Sequence, residues 1–154
     1  MTNHGTQTEE LLIIFQVHYL NTLSSLNTSN ERIRDFIQGA AKEEIPETGV
    51  YVWVDVRDVA LAHVKAAELP EAGGKRFFLV SGHFNNKLLG QTLRKNFPDL
   101  ADKLPTEKTA GGDYPEGGVF KVDNSRSREV LGIQYKQFDQ TITDTAKSLE
   151  AIKA

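Results

Sequence analysis

What most constrains this chain is the alternation of strand-length apolar runs with stretches of helical spacing. Residues 11–15, Leu-Leu-Ile-Ile-Phe, form a continuous apolar run. It suits a strand covered on both faces, although a short buried helix segment would read the same way. After a Ser-, Asn- and Thr-rich loop over residues 16–27, Thr28 and Glu31 stand at capping-box spacing, and Ile33, Phe36, Ile37 and Ala40 follow on one helical face. Pro46 and Gly49 break that helix from residues 50–56, a β-branched and aromatic run with the highest strand propensity in the chain. Asp55 is placed to cap the next helix and Asp58 to sit in its first turn, where the helix dipole favours an anion. That helix carries Val59, Ala60, Ala62, Ala66 and Ala67 and stops before Pro70; its alanines predict close packing on a flat surface such as a sheet.

The pattern then repeats. Gly73-Gly74 predicts a turn and residues 75–81 a strand, with Asn85 capping a helix that holds Leu88, Leu89, Thr92 and Leu93 and stops at Pro98. Residues 105–118, rich in Gly, Pro and charge, predict an exposed loop. Residues 119–122 read as a short strand, Asp123 or Asn124 as the cap of a brief helix closed by Gly132, and Phe138 as the start of a last helix with Ile142, Ala146, Leu149 and Ile152 on one side. No internal repeat is visible. Strands separated by helices indicate one α/β domain with a largely parallel sheet, of undetermined strand order.

Composition excludes several functions. A net charge of −3 over 154 residues, with Lys and Arg dispersed, lacks the cationic face of a nucleic-acid binder. The chain has no cysteine, which removes disulfides, thiolate nucleophiles and Cys-based zinc sites. The one apolar run near the start is too short for a signal-peptide core or a membrane span. The default expectation is a cytoplasmic protein that engages neither nucleic acid nor membrane.

The chemistry-bearing motifs of an oxidoreductase are missing. A dinucleotide loop needs glycines between a strand and a helix, because a side chain there would block the pyrophosphate from the helix N-terminus. Gly73-Gly74, Gly111-Gly112 and Gly117-Gly118 do not have that context or spacing, and they read as turns. A proton-donating tyrosine with a lysine four residues on would share a helix face with it. Instead Tyr19, Tyr51, Tyr114 and Tyr135 are followed at that distance by Leu23, Asp55, Gly118 and Asp139. His4, His18, His63 and His83 are too dispersed for a metal motif. Asp55, Arg57 and Asp58 are explained by helix capping and local pairing, Trp53 by a place in the core, and the charges of residues 121–129 by a solvated face.

The stretch Tyr51-Val-Trp-Val-Asp-Val-Arg-Asp-Val-Ala-Leu-Ala-His63 resembles a signature of the extended short-chain dehydrogenase/reductases, in the branch of NADPH-dependent aldehyde, methylglyoxal and ketone reductases that also resembles dihydroflavonol reductases. The resemblance begins near Val17-His-Tyr-Leu20 and Leu26-Asn-Thr-Ser29. It continues through Leu69-Pro-Glu-Ala-Gly-Gly-Lys-Arg-Phe-Phe78, Leu93 to Pro98, and Asp123-Asn-Ser with Leu131-Gly-Ile133. Residues 17–154 resemble the family and residues 1–16 do not.

Family members are about twice this long. The resemblance therefore implies a partial Rossmann-like fold: the C-terminal sheet strands plus the substrate lobe of a carbonyl reductase. The family's glycine-rich loop and its Ser, Tyr and Lys catalytic residues precede the matched region, so no catalytic or cofactor-binding residue carries over. NADP is implied as the family's cofactor, with binding by these residues alone doubtful. Tyr19, Leu20 and Leu23 are implied to line a substrate pocket, and residues 82–118 to match the variable lobe that shapes substrate choice. Three expectations follow: a reductase relative inactive by itself on small carbonyl substrates, a non-catalytic module that pairs with itself or with a reductase's N-terminal half, or a degenerate gene product.

Overall fold

The computed structural model describes residues 13–15 and 26–152. Strand β1 (Ile13–Phe15) is followed by helix α1 (Thr28–Gln38), strand β2 (Val52–Asp55), helix α2 (Val56–Glu68), strand β3 (Gly82–His83), helix α3 (Asn86–Asn96), the short helix α4 (Ser125–Glu129) and helix α5 (Phe138–Ala151). Among the described residues the sheet has three strands, in the order β1-β2-β3. Strand β1 runs parallel to β2, with Ile13 opposite Trp53, whereas β3 is antiparallel to it, with Gly82 opposite Trp53.

All four residues of β2 are buried, as a strand covered on both faces requires. Because successive side chains point to opposite faces, Trp53 and Val54 enter different cores. Trp53 joins Ile33, Phe36, Phe84, Leu93 and Ile142 in a core enclosed by α1, α3 and α5. Its ring meets Phe138 edge-on at 5.1 Å. Val54 packs instead with Ala62, Leu131, Ile133 and Tyr135.

Helix α1 starts one residue earlier than the capping box predicts. Asn27 is the cap, its Oδ1 accepting the Asn30 backbone N–H at 3.0 Å, and Thr28 is already helical. The helix stops at Gln38 because Gly39 turns left-handed, with φ of 97°, so Ala40 lies outside it and is exposed. Asn85 caps α3 as expected, accepting from Leu88 N at 2.7 Å. Asp123 serves the start of α4, accepting from Ser125 N at 2.9 Å.

Three expectations are corrected. Residues 75–81 form no strand with the described residues; only Gly82 and His83 pair with β2. Continuing the β2–β3 register would set residues 75–79 against residues 56–60, which have already turned into α2, while the Ser81 N–H still donates to Trp53 O at 2.8 Å. Residues 119–122 likewise lack a ladder and form no strand. Of the α2 alanines Ala62 packs against the sheet as expected, in the cluster with Val54, but Ala60, Ala66 and Ala67 are exposed.

Candidate functional site

The densest polar cluster lies where β2 becomes α2. Asp55 is fully buried. Its Oδ1 accepts the Arg57 backbone N–H at 2.8 Å and Arg57 Nε at 2.9 Å, while Oδ2 accepts Arg57 Nη2 at 2.6 Å and the Thr141 hydroxyl at 2.7 Å. Arg57 reaches on to Asp144 of α5 with Nη1 at 2.8 Å. Burial alone would push the Asp55 carboxyl up. The bonds from Arg57 and Thr141 outweigh it and hold the group below the usual carboxylate range. The Asp55 bond raises the Arg57 guanidinium further above its ordinary value. Asp58 moves the other way: burial raises it, against one hydrogen bond from Lys136 N at 2.8 Å. Both Asp55 oxygens are occupied and its proton is held off, so this cluster fastens β2 and α2 to α5 and offers no acid or base. The pairing of Arg57 with Asp55 agrees with the sequence; Thr141 and Asp144, one helical turn apart on α5, were not foreseen.

A second polar knot ties the loop before β2 to α3. Arg32 Nη1 donates to Asn86 Oδ1 at 2.7 Å and to Thr48 O at 2.9 Å, and Asn86 in turn donates from its backbone N–H to the Thr48 hydroxyl at 2.9 Å. The Arg32 guanidinium lies 5.8 Å from the Phe84 ring centre. Beside it is an open depression of about 310 Å³ lined by Glu31, Arg32, Phe36, Pro46 and Asn86. A smaller one, about 220 Å³, lies between α3 and the following loop at Lys87, Gln91, Arg94 and Thr106, within the region expected to shape substrate choice.

Tyr19, Leu20 and Leu23, the expected pocket residues, lie outside the described residues, as do His4 and His18. His63 is exposed, with Nδ1 donating to Val59 O at 2.8 Å, as a solvent-edge histidine would. His83 instead bonds through Nε2 to Phe120 O at 2.8 Å. No group of three His, Cys, Asp or Glu among the described residues could hold a metal.

The described residues do not fit a dinucleotide. The N-termini of α1, α2 and α3 are each closed by their own side-chain cap, from Asn27, Asp55 and Asn85. No glycine-rich loop leads into any of them. Gly111, with φ of 92°, has another use: a Cβ there would collide with the Ile45 backbone, so the glycine permits the Ile45–Gly111 bridge that closes the lobe. Gly73-Gly74 and Gly117-Gly118 lie on turns, with no Cβ contact at Gly74, Gly117 or Gly118.

The sheet, the covering helices and the closed lobe beside α3 define a partial Rossmann-like α/β fold of the short-chain reductase type. The chain belongs to the extended short-chain dehydrogenase/reductases. It is 44% identical over 132 residues to a ketoreductase, azaE, of Aspergillus niger, covering 85% of this chain and 38% of that protein. It is 32% identical to the NADPH-dependent methylglyoxal reductase GRE2 of Saccharomyces cerevisiae, covering 80% of this chain and 36% of the relative. Among solved structures, Gre2 of Candida albicans in complex with NADPH superposes with a TM-score of 0.75 at 30% identity, covering 92% of this chain and 42% of that one. No protein-family model matches the sequence. The chain thus spans about two fifths of the length of the relatives it matches, in agreement with a C-terminal half. No helix among the described residues is long and apolar enough to cross a membrane.

Proposed function

We propose that these residues are the substrate-lobe side of an NADPH-dependent carbonyl reductase, and that alone they neither bind NADPH nor reduce a carbonyl. The observation that carries this is the set of helix N-termini. The N-termini of α1, α2 and α3 are closed by their own capping side chains and no glycine-rich loop leads into α4 or α5, while reductase relatives match this chain over only two fifths of their length. Hydride transfer needs a nicotinamide held against the substrate, and positioning of that kind is supplied by protein groups absent here. Tyr19, Leu20 and Leu23 are proposed to line the pocket for a small carbonyl substrate within residues 17–154. Residues 82–118, with the depression at Lys87 and Arg94, are proposed to shape its choice. The reading carries a cytoplasmic setting with it, and the cysteine-free sequence is compatible with a reducing compartment.

Titration of the purified chain with NADPH, followed by Trp53 fluorescence, tests this. The expected result is no saturable quenching up to roughly millimolar cofactor, and no NADPH oxidation with a panel of aldehydes and ketones. Saturation in the micromolar range, or turnover, overturns it. A second reading, a non-catalytic pairing module, is favoured by apolar side chains left open on α2, where Leu61 and Val64 are 44% and 51% exposed.

A further inference from the structure

Helix α3 turns one face toward the loop that follows it. Lys87, Arg94 and Lys95, at i, i+7 and i+8, line the same depression of about 220 Å³ together with Ile45 and Pro105. A volume below the roughly 300–1,000 Å³ of a drug-sized site limits its occupant to a small molecule. Ile45 and Pro105 are buried and supply the apolar part. Pro105 is seated against α3 because Gly90 has no side chain: a Cβ there would come within 2.7 Å of Pro105 Cγ. The Arg94 guanidinium is fixed through Nη1, which donates to Ala101 O at 2.8 Å and to Leu104 O at 3.2 Å. Lys87 Nζ and Lys95 Nζ are steadied by Asp113 at 2.9 Å and Asp139 at 3.0 Å, whose carboxylates are not part of the lining. Three cations thus face one carboxylate, the exposed Glu107, in a chain where Asp and Glu outnumber Lys and Arg by 21 to 18.

We infer that this depression binds a small organic acid, its carboxylate taken by Arg94 with Lys87 and Lys95 and its apolar body lying on Ile45 and Pro105. The inference deepens the reading above, in which the depression helps to choose the carbonyl substrate, and rests on it only for the ligand's being that substrate. The chemistry of the lining selects the class. A planar guanidinium offers paired N–H groups that match the two oxygens of a carboxylate, and ammonium groups add charge without demanding one geometry. An uncharged carbonyl compound would leave the cations unused, and an inorganic anion would leave the apolar floor uncovered. The pairs of Lys87 with Asp113 and Lys95 with Asp139 are solvent-exposed and contribute little by themselves, so a ligand can share these ammonium groups at small cost.

The test titrates the isotopically labelled chain with phenylacetate, phenylacetamide and inorganic phosphate and reads amide NMR shifts. Phenylacetate is expected to shift signals of residues 87–95 and 105–107, saturating at roughly millimolar concentration. Phenylacetamide keeps the shape without the charge, and phosphate keeps charge without the apolar body. Each is expected to bind about tenfold more weakly or worse. Added salt should weaken phenylacetate binding, because the cations are near the surface and screened. The double variant Lys87→Gln, Lys95→Gln is expected to bind phenylacetate about fivefold more weakly, with its circular dichroism unchanged. Lys147→Gln, on α5 and outside the depression, should bind as wild type does. The inference is overturned by equal binding of phenylacetamide or phosphate, by shifts that map elsewhere, or by no saturation. A folded double variant that binds like wild type overturns it too. Should that variant not fold, the three probes on the unaltered chain decide the matter alone. The two readings fail separately: absence of phenylacetate binding sinks this inference, whereas NADPH oxidation by the chain sinks the reading above.

Discussion

Asp55 and Asp58 stand three residues apart at one helix N-terminus, and their carboxyls are displaced in opposite directions. The Asp55 carboxyl is held low by Arg57 and Thr141, so its ionised form stabilises the fold above the ordinary aspartate range near about 3.9. That contribution is lost as pH falls through the lowered folded value. The Asp58 carboxyl is raised by burial, so its contribution is present below the ordinary range and lost as pH rises through the raised folded value. Asp55→Asn places an amide donor against the guanidinium and weakens the helix cap. We expect a loss of about 2 kcal/mol at pH 7, with the Arg57 share reduced by solvent at its one-third exposed side chain. The gap to wild type narrows as the pH is taken below about 4. Asp58→Asn keeps an oxygen for Lys136 N and removes a buried charge, so its stability at pH 7 stays within about 1 kcal/mol of wild type. Urea unfolding at pH 7 and in the acid range checks both; equal losses in the two variants would contradict these roles. The sequence placed the two carboxyls at the cap because capping depends on neighbours. Thr141 and Lys136 were out of reach because they meet Asp55 and Asp58 from 86 and 78 residues away.

Local signals predicted elements well wherever a few adjacent residues decide the outcome, and poorly where a distant strand does. Asn85, Asp55 and the stop at Pro98 are local, and the structure agrees with each. The start of α1 shows the margin involved. Thr28 and Glu31 have capping-box spacing, but Asn27 precedes them, and its amide oxygen reaches the Asn30 N–H first. Asn27→Ala is therefore expected to cost about 1 kcal/mol, and Thr28→Ala, at an exposed first-turn position, less than about 0.5 kcal/mol. Thermal or urea melts of the two variants decide between the caps, and the reverse order would restore the capping box. Residues 75–81 and 119–122 illustrate the opposite case. Their composition favours extended chain, but a strand exists only when another backbone lies alongside. Propensity carries no information about whether that partner is present.

At the scale of the whole molecule, the α/β class and the order of elements were legible, because binary patterning sets both. The mixed pairing of the sheet was not, since parallel or antiparallel entry depends on the path of the chain between α2 and β3. The same strand, β2, divides the interior unequally. On its Trp53 side, α1, α3 and α5 enclose a cluster in which Ile33, Leu89, Leu93 and Ile142 are all fully buried. On its Val54 side, a smaller cluster is closed only partly by Phe77 and Leu79. A cavity costs most where the surroundings cannot collapse into it. Ile142→Ala should therefore fall toward the upper end of the roughly 2–5 kcal/mol range for such truncations, and Leu131→Ala toward the lower end, although Leu131 is only 2% exposed. Equal costs, measured by urea unfolding of the two variants, would mean that the Val54 side is as closely packed as the Trp53 side.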